Sequence, residues 1–126
     1  MRQPNSTEES RLKENVILEK SYAFALAVVP VCRRLQDERE YVLSRQLLRS
    51  GTSIGANVEE AQAGQSRADF LSKMSTAAKE SRESRYWLRL LRDSEEFPKI
   101  NFQPLLDSVE EIVKILASIV KSTGES

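Results

Sequence analysis

The segment that most constrains the fold is SRQLLRSGTSIGANVEEAQAG, residues 44–64, because it carries two helical seams side by side. An apolar stripe recurs at spacings of four and three residues: Leu43, Leu47, Gly51, Ile54, Val58 and Ala61. A polar seam with similar spacing lies about a quarter turn away: Gln46, Ser50, Ser53, Asn57 and Glu60. This double pattern predicts a helix that packs into a core and makes specific polar contacts beside it.

Two glycines lie one turn apart within this predicted helix, Gly51 and Gly55. Each glycine costs about 1 kcal/mol relative to alanine inside a helix. Glycine is nevertheless suitable where another backbone approaches too closely for a side chain. We therefore expect a neighbouring helix to pass closely at this point.

Hydropathy periodicity predicts four helices between frayed or disordered ends at residues 1–10 and 123–126. The first helix spans about residues 11–36, with a kink expected near Leu26 to Pro30. Its broad apolar face comprises Val16, Leu18, Tyr22, Ala25, Leu26, Val29, Cys32 and Leu35. The second spans about residues 41–63 and is expected to end at Gly64 in a left-handed conformation.

The third helix is predicted to begin at Ser66, with Asp69 completing a capping box, and to end before Pro98. The fourth follows Asn101 as a candidate cap. Its apolar positions have the spacing of knobs-into-holes packing: Phe102, Leu105, Val109, Ile112, Leu116 and Ile119. Four such helices with short connections predict one all-α domain over residues 11–122, an antiparallel up-and-down four-helix bundle.

Composition excludes several classes of function. The chain of 126 residues contains no histidine and one cysteine, Cys32, so one copy cannot form a disulfide or a Cys/His metal site. No catalytic motif occurs, and Glu59 and Glu60 are adjacent in sequence instead of facing each other. The longest apolar run, residues 23–29, is too short to cross a bilayer. We expect a cytoplasmic protein without enzymatic activity, cofactor, metal or membrane association.

The stretch QLLRSGTSIGANVEEAQAGQSRADF, followed by KESRESRYWLRLL, resembles the bacterial four-helix-bundle family of 23S ribosomal RNA intervening-sequence proteins. The resemblance covers about residues 20–120, with Pro30 and Glu59-Glu60-Ala61 as departures from the family pattern. It is carried by Lys20, Ser21, Tyr22 and Phe24, by Gln46, Arg49, Ser50, Ser53, Ile54, Ala56, Asn57 and Glu60, and by Phe70, Glu80, Glu83, Trp87 and Leu88.

The resemblance implies an antiparallel bundle that forms a ring-shaped homopentamer. Some members are encoded inside insertions within 23S rRNA genes. A more remote similarity extends to bundle proteins that assist reverse transcriptases in retroelements. These settings imply a nucleic-acid or ribonucleoprotein role, with a ribonucleoprotein or a reverse transcriptase as partner.

A basic ridge on the third helix is the best candidate nucleic-acid site, since guanidinium groups suit phosphate oxygens. The formal charge is zero overall, but residues 33–92 carry a net charge of +4 and residues 93–126 a net charge of −4. The ridge consists of Arg82, Arg85, Arg89 and Arg92, and Arg45, Arg49, Arg33, Arg34 and Arg67 would widen it. The first hypothesis is an accessory RNA- or DNA-binding factor, and the alternative is a protein-interaction scaffold without nucleic-acid contact.

Other motif residues have two interpretations. Glu80 and Glu83 can pair with Arg45 or Arg49, either lining a binding groove or fixing helix register within a protomer or between subunits. Ser53, Asn57 and the rest of the polar seam allow the same two interpretations. Trp87 is interpreted as a core or interface anchor instead of a base-stacking platform, because a single aromatic lacks a stacking partner. Cys32 is expected to be an inert core thiol.

Overall fold

A computed structural model of the chain describes residues 6–125, and all regular structure in that range is helical. The elements are α1 (Ser6–Asp37), α2 (Val42–Gln62), α3 (Arg67–Asp93) and α4 (Gln103–Glu125). α1 begins earlier than expected, with Glu8 and Glu9 in its first turn, where acidic groups interact favourably with the helix dipole. α4 continues beyond its expected end at residue 122. The expectations for residues 1–5 and 126 lie outside the described residues.

Contacts between the helices show an up-and-down bundle. α1 packs on α2 and α4, and α3 packs on the same two helices. The Lys13 ammonium donates to the Ser118 hydroxyl at 2.7 Å, and the Lys20 ammonium lies 2.7 Å from the Glu111 carboxylate. Residue numbers rise along α1 as they fall along α4, so these helices are antiparallel. The predicted four-helix architecture is confirmed.

The apolar stripes predicted for α2 and α4 form much of the core. In α2 the buried members are Leu47, Gly51, Ile54, Val58 and Ala61, and in α4 they are Leu105, Val109, Ile112, Leu116 and Ile119. Phe102, just before α4, is also buried, and Leu43 packs against the core from a half-buried position. The periodicity of these helices therefore identified their inner faces.

The predicted face of α1 was wrong in part. α1 buries Ile17, Phe24, Val28, Cys32 and Leu35. Four residues assigned to its packed face are instead exposed: Val16, Tyr22, Leu26 and Val29. α1 is apolar on more than one side, so its sequence does not single out the direction of the core.

Length and composition alone would allow one helix among the described residues to cross a membrane, over Glu8–Asp37 of α1. A core helix of a bundle meets the same criterion, and one side of α1 is packed inside this core.

α1 is one continuous helix through Pro30, the residue near which the kink was expected.

α1 and α2 approach each other closely at the two glycines. A Cβ atom at Gly51 would lie 3.2 Å from both methyl groups of Val28. At Gly55 it would lie 3.4 Å from the backbone oxygen of Ser21, in the facing helix. The close approach predicted from this glycine pair is confirmed.

The predicted caps of α3 and α4 are present, but the predicted conformation of Gly64 is not. The Ser66 hydroxyl accepts from the Asp69 backbone N–H at 3.1 Å, and the Asn101 side chain accepts from the Gln103 N–H at 3.1 Å. Gly64 does not adopt the left-handed conformation expected of it. A Cβ there would lie 3.1 Å from the Ala61 carbonyl oxygen, so the absence of a side chain relieves crowding in the turn.

Cys32 is a free thiol in the core, and burial raises its pKa to about 11. Because the reactive form is the thiolate, we expect native protein at pH 8 to resist iodoacetamide. Protein unfolded in guanidinium should be alkylated rapidly, because exposure returns the thiol pKa towards its ordinary value. Mass spectrometry over a time course measures both reactions. Equal rates in the two states would contradict a buried, protonated Cys32.

Candidate nucleic-acid interface

The outward side of α3 carries three cations and one aromatic ring. Lys79, Arg82, Tyr86 and Arg89 follow one another at spacings of three and four residues, which places them on one side of a helix. All four are exposed. None of the three cations forms an ion pair with any other part of the described chain. We refer to these four residues as the α3 basic face.

The predicted arginine ridge divides into two parts. Arg82 and Arg89 belong to the α3 basic face, whereas Arg85 lies towards α4 and pairs with Glu110 at 3.6 Å. The Arg92 Nε donates to the Asp93 carboxylate at 2.8 Å. This hydrogen bond lowers the pKa of Asp93, and the nearby charge of Arg89 acts in the same direction. Arg85 and Arg92 therefore already have carboxylate partners.

Arg49 connects α2 to two carboxylates of α3. Its guanidinium lies 3.1 Å from Glu80 Oε2 and also donates to Glu83. The Glu83 hydrogen bond is the main cause of the raised pKa of Arg49, with Glu80 acting in the same direction. Glu80 is only 8% exposed, so Arg49 compensates a carboxylate that water hardly reaches. Arg45, the alternative partner considered, is exposed and forms no ion pair within the described chain.

The polar seam of α2 lies along the boundary with α3. The buried hydroxyl of Ser84 donates to that of Ser50 at 2.8 Å. The Asn57 amide donates to the Ser53 carbonyl and hydroxyl oxygens at 2.9 and 3.1 Å. At the far end Glu60 pairs with Lys73 of α3 at 3.2 Å, and Gln46 is half-buried. Ser50 and Glu60 thus contact α3, whereas the contacts of Asn57 lie within α2.

Trp87 anchors the edge of this network. It is half-buried against the core, and its indole N–H donates to the Glu83 carboxylate at 3.3 Å. The Tyr86 ring lies edge-on to it, with ring centroids 5.1 Å apart and an interplanar angle of 72°. Sequence reasoning overlooked Tyr86 and wrongly treated Trp87 as an aromatic without a partner. The signal was the adjacent pair of aromatics, with Tyr86 at the helical spacing of Arg82 and Arg89.

Ligand groups for a metal are not gathered anywhere in residues 6–125. No group of three or more Cys, Asp or Glu side chains there is placed to hold an ion. Glu80 and Glu83 of α3 instead face the Arg49 guanidinium. The exposed cations of the α3 basic face therefore make it the candidate binding site among the described residues.

Comparisons with known proteins agree with this architecture. The family model for 23S rRNA-intervening sequence protein matches residues 13–118. A crystal structure of a protein of unknown function from the S23 ribosomal protein family of Bacteroides thetaiotaomicron is similar, with 44% sequence identity and a TM-score of 0.79. The match covers 86% of this chain and 98% of that one. No curated protein matches this chain. The chain belongs to the family of 23S rRNA-intervening sequence proteins.

Proposed function

We propose that the protein is a non-enzymatic accessory factor that binds RNA or DNA through phosphate contacts at the α3 basic face. The observation that supports this most is the row of three exposed cations without ion-pair partners in the described chain. From Lys79 to Arg89 the row extends about 15 Å along the helix axis, enough to meet more than one phosphate. The family's association with ribosomal RNA insertions makes RNA the first ligand to test.

The neighbouring arginines have a supporting role in this proposal. Arg49, Arg85 and Arg92 each face a carboxylate of the same chain, so binding a phosphate would compete with an existing contact. Arg82 and Arg89 form no ion pair within the described chain, although the Asp93 carboxylate lies near Arg89, and these two arginines should dominate affinity. Several copies in one assembly would present several such faces, and their binding would then be multivalent.

The test is fluorescence anisotropy of a labelled structured RNA and of duplex DNA at about 50 and 200 mM salt. Binding through phosphates releases counterions, so affinity should fall steeply over this range. We expect the double variant R82A/R89A to bind about tenfold or more weakly and to lower the salt slope by about 2. The double variant K114A/K121A, on the exposed side of α4, removes the same charge and should bind almost normally.

Two results would contradict this proposal. Equal losses in the α3 and α4 variants would show that overall charge, and not the α3 basic face, governs binding. An absence of binding to either nucleic acid at low salt would remove the function itself. The alternative scaffold function would then be preferred.

We also propose that the protein works as a homo-oligomer, a pentamer as the family resemblance implies, in the cytoplasm and without membrane attachment. Tyr22 and Leu26 are 58% and 59% exposed, and Val29 lies on the same side of α1. Neighbouring exposed apolar side chains of this size are typical of surfaces that another protein covers. A second copy of this chain is the occupant that an oligomer requires.

We expect the double variant Y22E/L26E to shift the mass measured by light scattering towards that of the monomer, because it places charges in the proposed contact. Circular dichroism should remain that of a folded helical protein, since both side chains point away from the core. V42E, a change of an exposed apolar residue at the start of α2, should leave the mass unaltered. An unchanged mass in Y22E/L26E would rule out this side of α1 as the subunit contact.

The scaffold alternative draws on the same exposed side of α1, which could also hold a different protein, such as a reverse transcriptase or a ribonucleoprotein component. Salt response distinguishes the two functions. Apolar docking should change little between about 50 and 200 mM salt, whereas phosphate binding through three cations should weaken about 20- to 40-fold.

A further inference from the structure

We propose that the α3 basic face takes unpaired nucleotides, with a base stacked on the ring of Tyr86 and phosphates held by Arg82 and Arg89. This inference rests on the nucleic-acid function proposed above and names the class of ligand. It follows from the position of one exposed aromatic ring within a row of cations.

Tyr86 is 55% exposed although it is a large aromatic residue. It follows Arg82 by four residues and precedes Arg89 by three, so the guanidinium-bearing residues lie about 6 Å and 4.5 Å away along the helix axis. Proteins that bind single strands combine such cations with aromatic surfaces on which bases stack. In a duplex the base faces are already stacked on each other, so an exposed ring would gain little from one.

The Tyr86 ring contacts Trp87, which is itself held by further contacts. Its neighbour Trp87 meets it edge-on, the Trp87 indole N–H donates to Glu83, and Glu83 accepts from Arg49 of α2. Trp87 is also packed against the core. The contact with Trp87 restricts one edge of the Tyr86 ring, which reduces the conformational freedom that the ring loses when a base stacks on it.

The positive charge around Tyr86 favours a nucleotide over a protein as the ligand. An exposed tyrosine alone would suit a protein interface equally well. Here Lys79, Arg82 and Arg89 lie on the same side of α3 as Tyr86 and form no ion pair within the described chain, and such a row favours a polyanion. Exposed cations beside an exposed aromatic ring are the combination that single-strand binders use.

The experiment compares a mixed-sequence RNA of about twelve nucleotides without self-complementarity, a length within the site sizes of single-strand binders, with the same RNA annealed to its complement. We expect the single strand to bind at least tenfold more tightly than the duplex. Y86A should weaken single-strand binding about tenfold and duplex binding by less than twofold, and Y86F should bind like the wild type, because it retains the ring. Y41A removes another exposed tyrosine, outside the face, and should have no effect.

Fluorescence gives a second, independent measurement. Trp87 is the only tryptophan of the chain and contacts Tyr86, so its emission should change when a base occupies the ring. The change should occur with the single strand and be absent in Y86A. Both readouts are obtained with folded, full-length protein.

The outcomes separate this inference from the proposed function. Equal or tighter duplex binding, together with unaltered affinity in Y86A, would overturn the stacking role. If R82A/R89A still weakened binding, the nucleic-acid function would remain. Failure of the wild type to bind the single strand, the duplex or the structured RNA would overturn both.

Discussion

Replacing Gly55 with leucine is expected to destabilise the bundle by about 3 kcal/mol and to lower its melting temperature by about 10 °C. The Cβ atom alone would come within 3.4 Å of the Ser21 backbone oxygen, and the rest of the side chain would extend into α1. A backbone held in a helix cannot move aside as a flexible side chain can. Thermal unfolding followed by circular dichroism measures the effect.

Gly55→Ala is the matched control. Its Cβ would make ordinary van der Waals contact with Ser21, and alanine favours the helix by about 1 kcal/mol over glycine. We therefore expect an unchanged or higher melting temperature. Wild-type stability in the leucine variant, or equal losses in both variants, would show that close packing is not the reason for glycine at this position.

The helices with a single apolar stripe were predictable from the sequence. The predicted stripes of α2, from Leu47 to Ala61, and of α4, from Leu105 to Ile119, are buried at every position. Apolar residues at regular helical spacing define a single face, and that face packs into the core. α1 differs, since it carries apolar residues on opposite sides. Burial of Phe24 and exposure of Leu26 depend on where α2 and α4 lie, which periodicity within α1 does not contain.

The connections depended on details beyond residue type. Gly64 follows α2 and was expected to adopt a positive φ, but it does not. Positive φ angles occur instead at two non-glycine residues, Arg39 (65°) and Glu95 (59°). The turn after α2 leads directly into α3, whose Phe70 N–H would lie 3.3 Å from a Cβ at Gly64. Glycine at this position is therefore explained by crowding from both flanking helices, at the Ala61 carbonyl of α2 and the Phe70 nitrogen of α3.

The candidate site was predicted as a row of arginines, but their partners were not. Spacing places Arg82, Arg85, Arg89 and Arg92 along α3, and only the register of α4 brings Glu110 to Arg85. Tyr86 was missed for a related reason. Tyr86 is a candidate binding residue because its ring is exposed and contacts Trp87. Its exposure follows from how α3 is rotated in the bundle.

Arg49→Ala is expected to reduce the free energy of unfolding by about 2–3 kcal/mol at neutral pH. The change leaves the Glu80 carboxylate in its buried position without the cation 3.1 Å away, and it also removes the partner of Glu83. Urea denaturation measures the loss. Arg45→Ala removes an exposed arginine one turn earlier in α2 and should change stability by less than about 0.5 kcal/mol.

The double variant R49A/E80A shows whether the stability lost in R49A comes from leaving the Glu80 carboxylate without a cation. If it does, the double variant should be more stable than R49A alone, because it removes the unpaired charge together with its partner. If the losses of R49A and E80A simply add in the double variant, the two residues are not coupled. An R49A variant as stable as R45A would also contradict the coupling. Such coupling would make Arg49 a structural residue that also holds Glu83 beside Trp87. Nucleic-acid binding by R49A would then be informative only at temperatures where circular dichroism shows the variant fully folded.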